Sequence, residues 1–311
     1  MIVRAEKLTK TFGELKAVDG IDLDIPSGQI VGLLGPNGAG KSTTISMIAT
    51  LYKPTSGSLT FEGRDIVKEP KWIQPHLGYV PQEIALYQTL SGYENLKYFG
   101  GLYGLSGLEL KKRIEEISEI IGIKDRLKDK VSQYSGGMKR RINIGVALLH
   151  HPKLIIMDEP TVGIDPQSRN HILETVKILN QQGMSVIYTS HYMEEVESIC
   201  QWIHIMDHGK IIASGTQESL VEQSQSHTSI QLKFDREIDL YLDQIKQIKQ
   251  VMALTKAEDG SVNLLISGNG DNQKDLIRTV IGMDLGLVSF DVTKPNLEQV
   301  FLKMTGRGLR D

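Results

Sequence analysis

The sequence has a single cysteine and no apolar run long enough to span a membrane. Cys200 is alone among 311 residues, which excludes an intramolecular disulfide framework and a zinc site built from thiolates. Its neighbours favour a thiol packed in the core. A membrane helix needs about 20 apolar residues, and the most apolar segments, residues 142–149 and 154–157, are far shorter. The N-terminus also lacks the apolar core of a signal peptide, so we expect a cytosolic chain.

An excess of charge of one sign is also absent. The chain carries 35 basic and 38 acidic residues, for a formal net charge of −3. Nucleic-acid-binding proteins usually carry a strongly basic face, so we expect no nucleic-acid partner. The hydrophobic fraction of 40% and the charged fraction of 23% fit a folded globular protein. The length allows one large domain and a smaller one.

Short apolar runs alternate with helical patterns through the first two thirds of the chain. Residues 29–34, 154–157 and 185–189 are typical of strands buried on both faces, whereas residues 41–51 and 167–182 have helical spacing. This alternation predicts an α/β fold with a mostly parallel sheet that is covered on both sides. Further strands are predicted over residues 2–8, 20–25, 59–63, 202–207 and 210–214, and further helices over residues 192–200 and within 91–151, where residues 110–121 are amphipathic.

The last third of the chain has a different pattern. Residues 217–229 are rich in Gln and Ser and are interpreted as a linker. Beyond them the predicted order is strand, helix, strand, strand, helix, strand and a final helix, over residues 229–234, 240–250, 251–255, 262–267, 273–283, 287–292 and 296–304. The βαββαβ order predicts a small α+β domain with a ferredoxin-like sandwich. We therefore expect one domain over residues 1–220 and a second over residues 221–311.

A glycine-rich segment joins the strand at residues 29–34 to the helix at residues 41–51. It matches the phosphate-binding pattern G-x-x-x-x-G-K-[ST] and consists of Gly35, Pro36, Asn37, Gly38, Ala39, Gly40, Lys41, Ser42 and Thr43. Glycines let successive backbone N–H groups surround an anion, and a helix N-terminus adds partial positive charge. Lys41 is expected to reach the β- and γ-phosphates of a nucleotide, and the Ser42 hydroxyl to hold Mg²⁺.

Two acids follow the apolar run at residues 154–157. Asp158 and Glu159 stand at the carboxyl end of a predicted strand, which is the edge where ligands bind in an open parallel sheet. We expect Asp158 to position Mg²⁺ through water and Glu159 to orient the attacking water or to accept its proton. Paired acids at a strand end are often ordinary surface residues. Together with the phosphate loop they predict a water-activating pair.

A second glycine motif lies between the phosphate loop and the acidic strand. Ser135, Gly136 and Gly137 directly precede a helical pattern that carries Lys139-Arg140-Arg141. The tripeptide alone is common, but its place at a helix N-terminus predicts a second phosphate contact, made by the Ser135 hydroxyl and two backbone N–H groups. The basic run is interpreted as a solvated or interface face rather than a nucleic-acid patch.

These motifs, in this order, resemble the ATP-binding subunit of an ABC (ATP-binding cassette) transporter over about residues 1–220. The resemblance implies a P-loop NTPase fold with a RecA-like core, a β-subdomain and a helical subdomain near residues 83–152. It also implies ATP and Mg²⁺ as cofactors and a homodimer. Each ATP would lie between the phosphate loop of one subunit and the motif at residues 135–137 of the other, with catalysis by positioning and charge stabilisation.

The resemblance also implies roles for single residues. Phe12 stands where an aromatic ring stacks on adenine, with Val18 beside the sugar. Gln82 matches a glutamine that touches Mg²⁺ and the attacking water and senses the membrane subunit. Asp165 matches an aspartate that contacts the opposing subunit, and His191 a histidine that binds the γ-phosphate. Each role has an alternative. Phe12 would be a core aromatic, Gln82 a surface turn residue, and His191 a structural histidine or half of a metal site.

Two departures from the family pattern lie beside these residues. Tyr134 and Met138 stand where Leu and Gln are commoner, and Gly163-Ile164 replaces Ala-Leu. The Ser-Gly pair that would contact phosphate is retained, as is the Asp165 carboxylate. We therefore expect the departures to affect the rate and not to inactivate the protein.

The direction of transport follows from the resemblance alone. Residues 98–104 and 296–307 resemble the ATPases of ABC-2-type exporters, with the daunorubicin and multidrug-resistance group closest. This implies export of a drug, antibiotic or lipid-like substrate through a separate permease, with the subunit held at the cytoplasmic face of the membrane and a tail domain that is regulatory or stabilises the dimer. An importer ATPase and a non-transport ABC ATPase remain alternatives. The chain has neither the coiled-coil insertion of DNA-repair ATPases nor the second cassette of ribosome-associated factors.

Overall fold

The computed structural model describes residues 1–224, 228–257, 259–266, 270–293 and 296–305. The chain divides into two compact units, Met1–Gln217 and a second unit that begins at Glu218. No helix within the described ranges is long and apolar enough to cross a membrane.

The first unit contains two sheets. Its strands are β1 (Val3–Phe12), β2 (Leu15–Ile25), β3 (Ile30–Leu34), β4 (Ser56–Phe61), β5 (Arg64–Asp65), β6 (Leu77–Val80), β7 (Leu154–Asp158), β8 (Ser185–Ser190), β9 (Trp202–Asp207) and β10 (Lys210–Gly215). Strands β2-β1-β4-β5 form an antiparallel sheet. Strands β10-β9-β3-β8-β7-β6 form the central sheet, in which β10 is antiparallel to β9 and the other neighbours are parallel. The predicted mostly parallel sheet is confirmed.

The central strands bring the functional segments to one edge of this sheet. Every residue of β3, β7 and β8 is buried, as their continuous apolar runs predict. In the parallel registers, Leu34 lies opposite Ser190, and Asp158 opposite Thr189. The carboxyl ends of three strands therefore meet at the same place, and the segments that follow them are neighbours.

Helices cover the central sheet and form a separate helical layer. They are α1 (Lys41–Ile48), α2 (Pro70–Ile73), α3 (Gly92–Leu102), α4 (Gly107–Ile120), α5 (Gly136–Leu148), α6 (Pro166–Gln181) and α7 (Met193–Ile199), with short 3-10 turns at Gln74–His76, Lys124–Arg126 and Val131–Gln133. One apolar cluster joins residues of both sheets, among them Leu33 and Phe61. Another joins the central sheet to the helices, among them Ile117 and Tyr188, and Cys200 packs against it. Burial raises the pKa of the Cys200 thiol, as expected for a core cysteine.

The second unit is an antiparallel sheet with helices. Its strands are β11 (Thr228–Phe234), β12 (Val251–Lys256), β13 (Val262–Ile266) and β14 (Leu287–Thr293), and its helices include α8 (Gln217–Gln223), α9 (Leu242–Lys246), α10 (Gly270–Gly282) and α11 (Leu297–Thr305). The strand order is β12-β13-β11-β14, with all pairs antiparallel. With α9 and α10 between the strands, the element order is βαββαβ, the order of a ferredoxin-like sandwich.

Several predicted elements differ from the structure. Part of the predicted linker is helical, as α8, and buries Leu220. The helix predicted at residues 240–250 is shorter and consists of a 3-10 turn at Asp239–Tyr241 and α9. Strand β6 was missed because it has only four residues at the sheet edge. Ser267, Gly306 and Arg307, which end predicted segments, lie outside the described residues.

Candidate active site

The phosphate loop lies between the end of β3 and the start of α1. Gly40, the N-cap of α1, has φ of 103°, a left-handed conformation that only glycine adopts without strain. A Cβ atom on Gly40 would lie 2.5 Å from the Ala17 carbonyl oxygen, and one on Gly35 would overlap the Met206 carbonyl oxygen. Neighbouring backbone therefore encloses the loop. Space requires glycine at both positions, and at Gly40 the backbone conformation requires it as well.

Lys41 is held inside this loop. Its side chain is 5% exposed, and Nζ donates to the carbonyl oxygens of Gly35 (2.7 Å) and Pro36 (3.2 Å). Burial lowers the pKa of Lys41, while the nearby carboxylates of Glu159 and Asp158 oppose that shift. In this position the Lys41 ammonium group can bind phosphate oxygens without a large movement of the chain.

Asp158 and Glu159 stand at the end of β7 and share one organising hydroxyl. The Thr189 hydroxyl donates to Asp158 Oδ1 (2.8 Å) and accepts from the Glu159 backbone N–H (2.9 Å). Burial raises the pKa of Asp158, and hydrogen bonds from Thr189 and Ser42 oppose that shift. Glu159 has φ of 45°, a strained conformation for a residue with a Cβ. Nothing in the sequence pattern pointed to Thr189.

Three predicted catalytic residues converge on the Glu159 carboxylate. Lys41 Nζ lies 3.8 Å from Oε1. On the other oxygen, Gln82 Nε2 donates to Oε2 at 3.3 Å, and His191 Nδ1 lies 3.4 Å from it. A cation near one oxygen, with an amide donor and an imidazole at the other, restricts the orientation of the carboxylate, which a general base requires.

A cavity of about 500 Å³ opens in front of these groups. Its lining comes from the phosphate loop, the end of β1, the start of β2, the turn between β9 and β10, and two single residues, Gln82 and Glu159. The lining residues are Phe12, Leu15, Lys16, Ala17, residues 37–43, Gln82, Glu159, His208 and Gly209. Phe12 is 43% exposed and presents a ring at the rim. Val18 is fully buried in the core cluster and does not line the cavity, because strand alternation turns it inward.

The donor atoms at this cavity suit Mg²⁺ together with a nucleotide. The described residues hold no group of three or more His, Cys, Asp or Glu side chains that could bind a metal by themselves. Mg²⁺ is usually bound by one or two carboxylates together with substrate phosphates. Ser42, in the phosphate loop, and Asp158, at the end of β7, supply that oxygen chemistry.

A second cluster forms around the motif at residues 135–137. Ser135 is the N-cap of α5 and accepts from the Met138 backbone N–H (3.2 Å). Asp165 is the N-cap of α6 and accepts from the Ser168 backbone N–H (2.9 Å). A Cβ atom on Gly137 would overlap the Ser168 side chain and lie 3.6 Å from Asp165 Oδ2. The motif and Asp165 are therefore neighbours, and neither contributes to the lining of the cavity.

Two buried charged residues were missed or misinterpreted. Arg140, predicted to lie on a solvated or interface face, is 3% exposed and donates to the carbonyl oxygens of Pro81 and Gln82. The basic run does not form one face, because consecutive residues on a helix are about 100° apart. Glu195 is 2% exposed, and its Oε2 accepts hydrogen bonds from Thr161 (2.8 Å), Tyr188 (2.9 Å) and Ser190 (2.9 Å).

Comparisons with known proteins identify the family of this chain. The family model for ABC transporters matches residues 18–162. The linearmycin resistance ATP-binding protein LnrL of Bacillus subtilis is 49% identical over 311 residues, which is all of both chains. The daunorubicin/doxorubicin resistance ATP-binding protein DrrA of Streptomyces peucetius is 32% identical over 312 residues, or 99% of this chain and 94% of that protein.

Solved structures of ATP-binding cassettes share the fold over 69% to 72% of this chain. A dimeric cassette in a post-hydrolysis state, bound to ADP and Pi, aligns with a TM-score of 0.63 at 28% identity and covers 69% of this chain and 98% of its own. The ATP-binding subunit of another ABC transporter aligns with a TM-score of 0.65 over 72% of this chain. The predicted P-loop NTPase fold is confirmed. The chain thus belongs to the ATP-binding subunits of ABC transporters, which pair with a membrane permease, and it is an ATPase.

Proposed function

We propose that this subunit powers the export of an antibiotic, drug or lipid-like substrate through a separate ABC-2-type permease, from the cytoplasmic face of the membrane. The support is the full-length similarity to proteins named for linearmycin and for daunorubicin/doxorubicin resistance. The similarity to these two proteins covers 100% and 99% of this chain, whereas the solved cassettes above cover 69% and 72% of it. An importer would need a different permease, and no feature of the described residues favours it.

The observation that carries the proposed mechanism is the division of the site into two clusters. The cavity holds the phosphate loop, Gln82 and Glu159, while Ser135 and Asp165 lie outside its lining. The N-terminus of α5, capped by the exposed Ser135, suits a phosphate ligand. Ser135 does not line the cavity of its own subunit. We infer a homodimer in which residues 135–137 of each subunit complete the site of the other.

In this proposal the residues of one site have distinct tasks. Lys41 and the loop amides bind the β- and γ-phosphates, and His191 binds the γ-phosphate. Glu159 accepts the proton of the attacking water, which Gln82 contacts. Ser42, Asp158 and Gln82 would hold Mg²⁺, and the ion would neutralise charge on the phosphate oxygens. Phe12 stacks on the adenine. Because Val18 is buried, we assign contact with the sugar to the residues before it that line the cavity, Leu15, Lys16 and Ala17.

A groove beside Gln82 is the proposed contact for the permease. It measures about 650 Å³. Apolar and aromatic side chains of the first unit line it, including Leu51, Pro81, Ala85, Phe99 and Tyr103. Leu51 is 59% exposed and Tyr103 45% exposed. A short amphipathic helix from a membrane partner matches such a groove. Because Pro81 lines the groove, a partner bound there would lie next to Gln82.

Co-purification from detergent-solubilised native membranes tests the proposal. We expect the tagged subunit to recover a polytopic ABC-2-type permease without a solute-binding protein. The variant Leu51→Asp should lose the permease, because it places a charge in the groove. Leu240→Asp is the matched control: Leu240 is 90% exposed in the second unit. Recovery of an importer permease with its binding protein, or of ribosomal or DNA-repair subunits, would contradict the proposal.

A further inference from the structure

Arg140 is a buried cation that the proposed catalytic steps leave without a task. It lies on α5, in the second turn after the Ser135 cap, and is 3% exposed. Nη1 donates to the Pro81 carbonyl oxygen at 2.6 Å, and Nη2 donates to the Gln82 carbonyl oxygen. The remaining guanidinium nitrogen, Nε, has no hydrogen-bond partner in the part of the chain that the structure describes.

The two carbonyl groups enclose one residue, Gln82. The Pro81 carbonyl precedes its backbone nitrogen and the Gln82 carbonyl follows its Cα, so the guanidinium binds the main chain on both sides of the glutamine side chain. This segment has no strand ladder to hold it, because β6 ends at Val80. The Gln82 side chain itself reaches Glu159 Oε2 at 3.3 Å. A small displacement of the segment would move that contact.

Burial of a guanidinium among neutral carbonyls is costly unless the hydrogen bonds are well made. The planar fork of arginine can bind two acceptors in a fixed relative geometry, whereas lysine offers a point charge on a flexible stem. The residue type therefore fits a task of orientation: it fixes the path of residues 81–82 relative to α5.

We propose that Arg140 is a positioning residue that holds the Gln82 backbone and couples it to the helix that carries the Ser135 cap. The position of α5 depends on what Ser135 binds. A shift of α5 moves Gln82 through the two Arg140 hydrogen bonds and so changes the contact between Gln82 and Glu159. The inference rests on the role proposed above for Gln82 in catalysis.

The chain contains a matched control on the same helix. Arg141 is the next residue, and its Nη1 donates to the carbonyl oxygens of Gly122 (2.7 Å) and Ile121 (3.3 Å). Burial lowers the pKa of both arginines. The two residues share type, helix and carbonyl acceptors. They differ in burial, since Arg141 is half-buried, and in which segment they hold.

A double-mutant cycle on the purified full-length subunit tests the coupling. The variants are Arg140→Gln, Gln82→Ala, both together, and Arg141→Gln, with kcat, KM for ATP and the Mg²⁺ dependence measured for each. We expect Arg140→Gln and Gln82→Ala each to lower kcat by about tenfold with a small change in KM. The double variant should be no slower than Gln82→Ala alone, and Arg141→Gln should remain close to the parent.

The outcomes separate this inference from the proposed function. If the two losses multiply, or if Arg141→Gln loses as much as Arg140→Gln, Arg140 supports the fold without acting through Gln82 and the positioning role is wrong. If Gln82→Ala leaves kcat unchanged, the catalytic role of Gln82 is wrong, and this inference with it. Should Arg140→Gln fail to fold, Arg140→Lys, which retains the charge without the fork, takes its place in the same cycle.

Discussion

The two clusters of the ATP site differ in how far one folded chain prepares them. In the cavity cluster, Lys41, Asp158 and Glu159 are 5%, 5% and 8% exposed, and each contacts at least one of the others or a shared hydroxyl. In the second cluster, Ser135 and Asp165 are exposed and their contacts are helix caps. The first cluster is organised for chemistry by the chain itself. In the proposed homodimer, the second cluster meets a ligand that the other subunit holds.

The largest effect is expected in the cavity cluster, from Glu159→Gln. The amide has the shape of the carboxylate but cannot accept the proton of water, so hydrolysis should fall by about 10²–10⁴-fold. ATP binding should be retained and the variant should accumulate as a dimer with ATP. Phosphate release and size-exclusion chromatography with ATP measure both. Glu62→Gln, at an exposed acid paired with Lys153, is the control and should behave as the parent.

A monomer in all nucleotide conditions would contradict the dimer proposal. Turnover close to that of the parent would contradict the role of Glu159 as base.

Complementation between subunits separates the two clusters directly. Lys41→Ala damages the cavity cluster and Ser135→Ala the second cluster, and each alone should lower turnover by about 10²-fold or more. In a mixed dimer of the two variants, one site combines an intact phosphate loop with an intact Ser135. A one-to-one mixture should therefore recover about a quarter of the parent activity, since half of the dimers are mixed and each has one complete site. No recovery would contradict a site shared between subunits.

The same comparison explains how much of the site the sequence could predict. The phosphate loop and the paired acids are contiguous motifs whose chemistry depends on residue type and spacing, and the structure brings Lys41, Gln82, Glu159 and His191 together. Their catalytic roles remain predictions. Thr189 was missed because a single hydroxyl in a buried strand has no sequence signal; its contact with Asp158 depends on the parallel register.

The errors in the fold have a related physical origin. Arg140 was assigned to a solvated or interface face because neighbouring charges suggest one, yet a helix points each of three consecutive residues in a different direction. The linker interpretation failed at α8 because the Gln- and Ser-rich composition hides one buried position, Leu220. Val18 was placed beside the nucleotide by resemblance, but β2 turns it into the core. In each case the direction of a side chain decided the outcome, and neither local composition nor resemblance gave that direction.

A smaller effect is expected within the second cluster, from two adjacent glycines. A Cβ atom on Gly137 would overlap Ser168 on α6, whereas one on Gly136 would meet Ile164 at an ordinary 3.6 Å. Gly137→Ala should therefore cost about 1–3 kcal/mol by overpacking, which thermal unfolding would detect. Gly136→Ala should leave Tm unchanged or slightly higher, because alanine favours a helix over glycine. Equal losses of Tm in both variants would contradict the close packing of α5 on α6.

The smallest effect on stability, and the sharpest test of the second cluster, is expected from Asp165→Asn. The hydrogen bond from the Ser168 backbone lowers the pKa of Asp165, so its ionised cap contributes stability above the unfolded pKa of about 3.9 and loses it as the pH falls through the folded pKa. Asparagine caps helices about as well as aspartate but does not titrate. Tm at pH 7 should therefore be unchanged, and the variant should lose less Tm than the parent on acidification. Turnover should still fall, because the charge offered to the opposing subunit is gone. Unchanged turnover with unchanged Tm would mean that Asp165 is only a cap, and that the second cluster meets its partner through Ser135 alone.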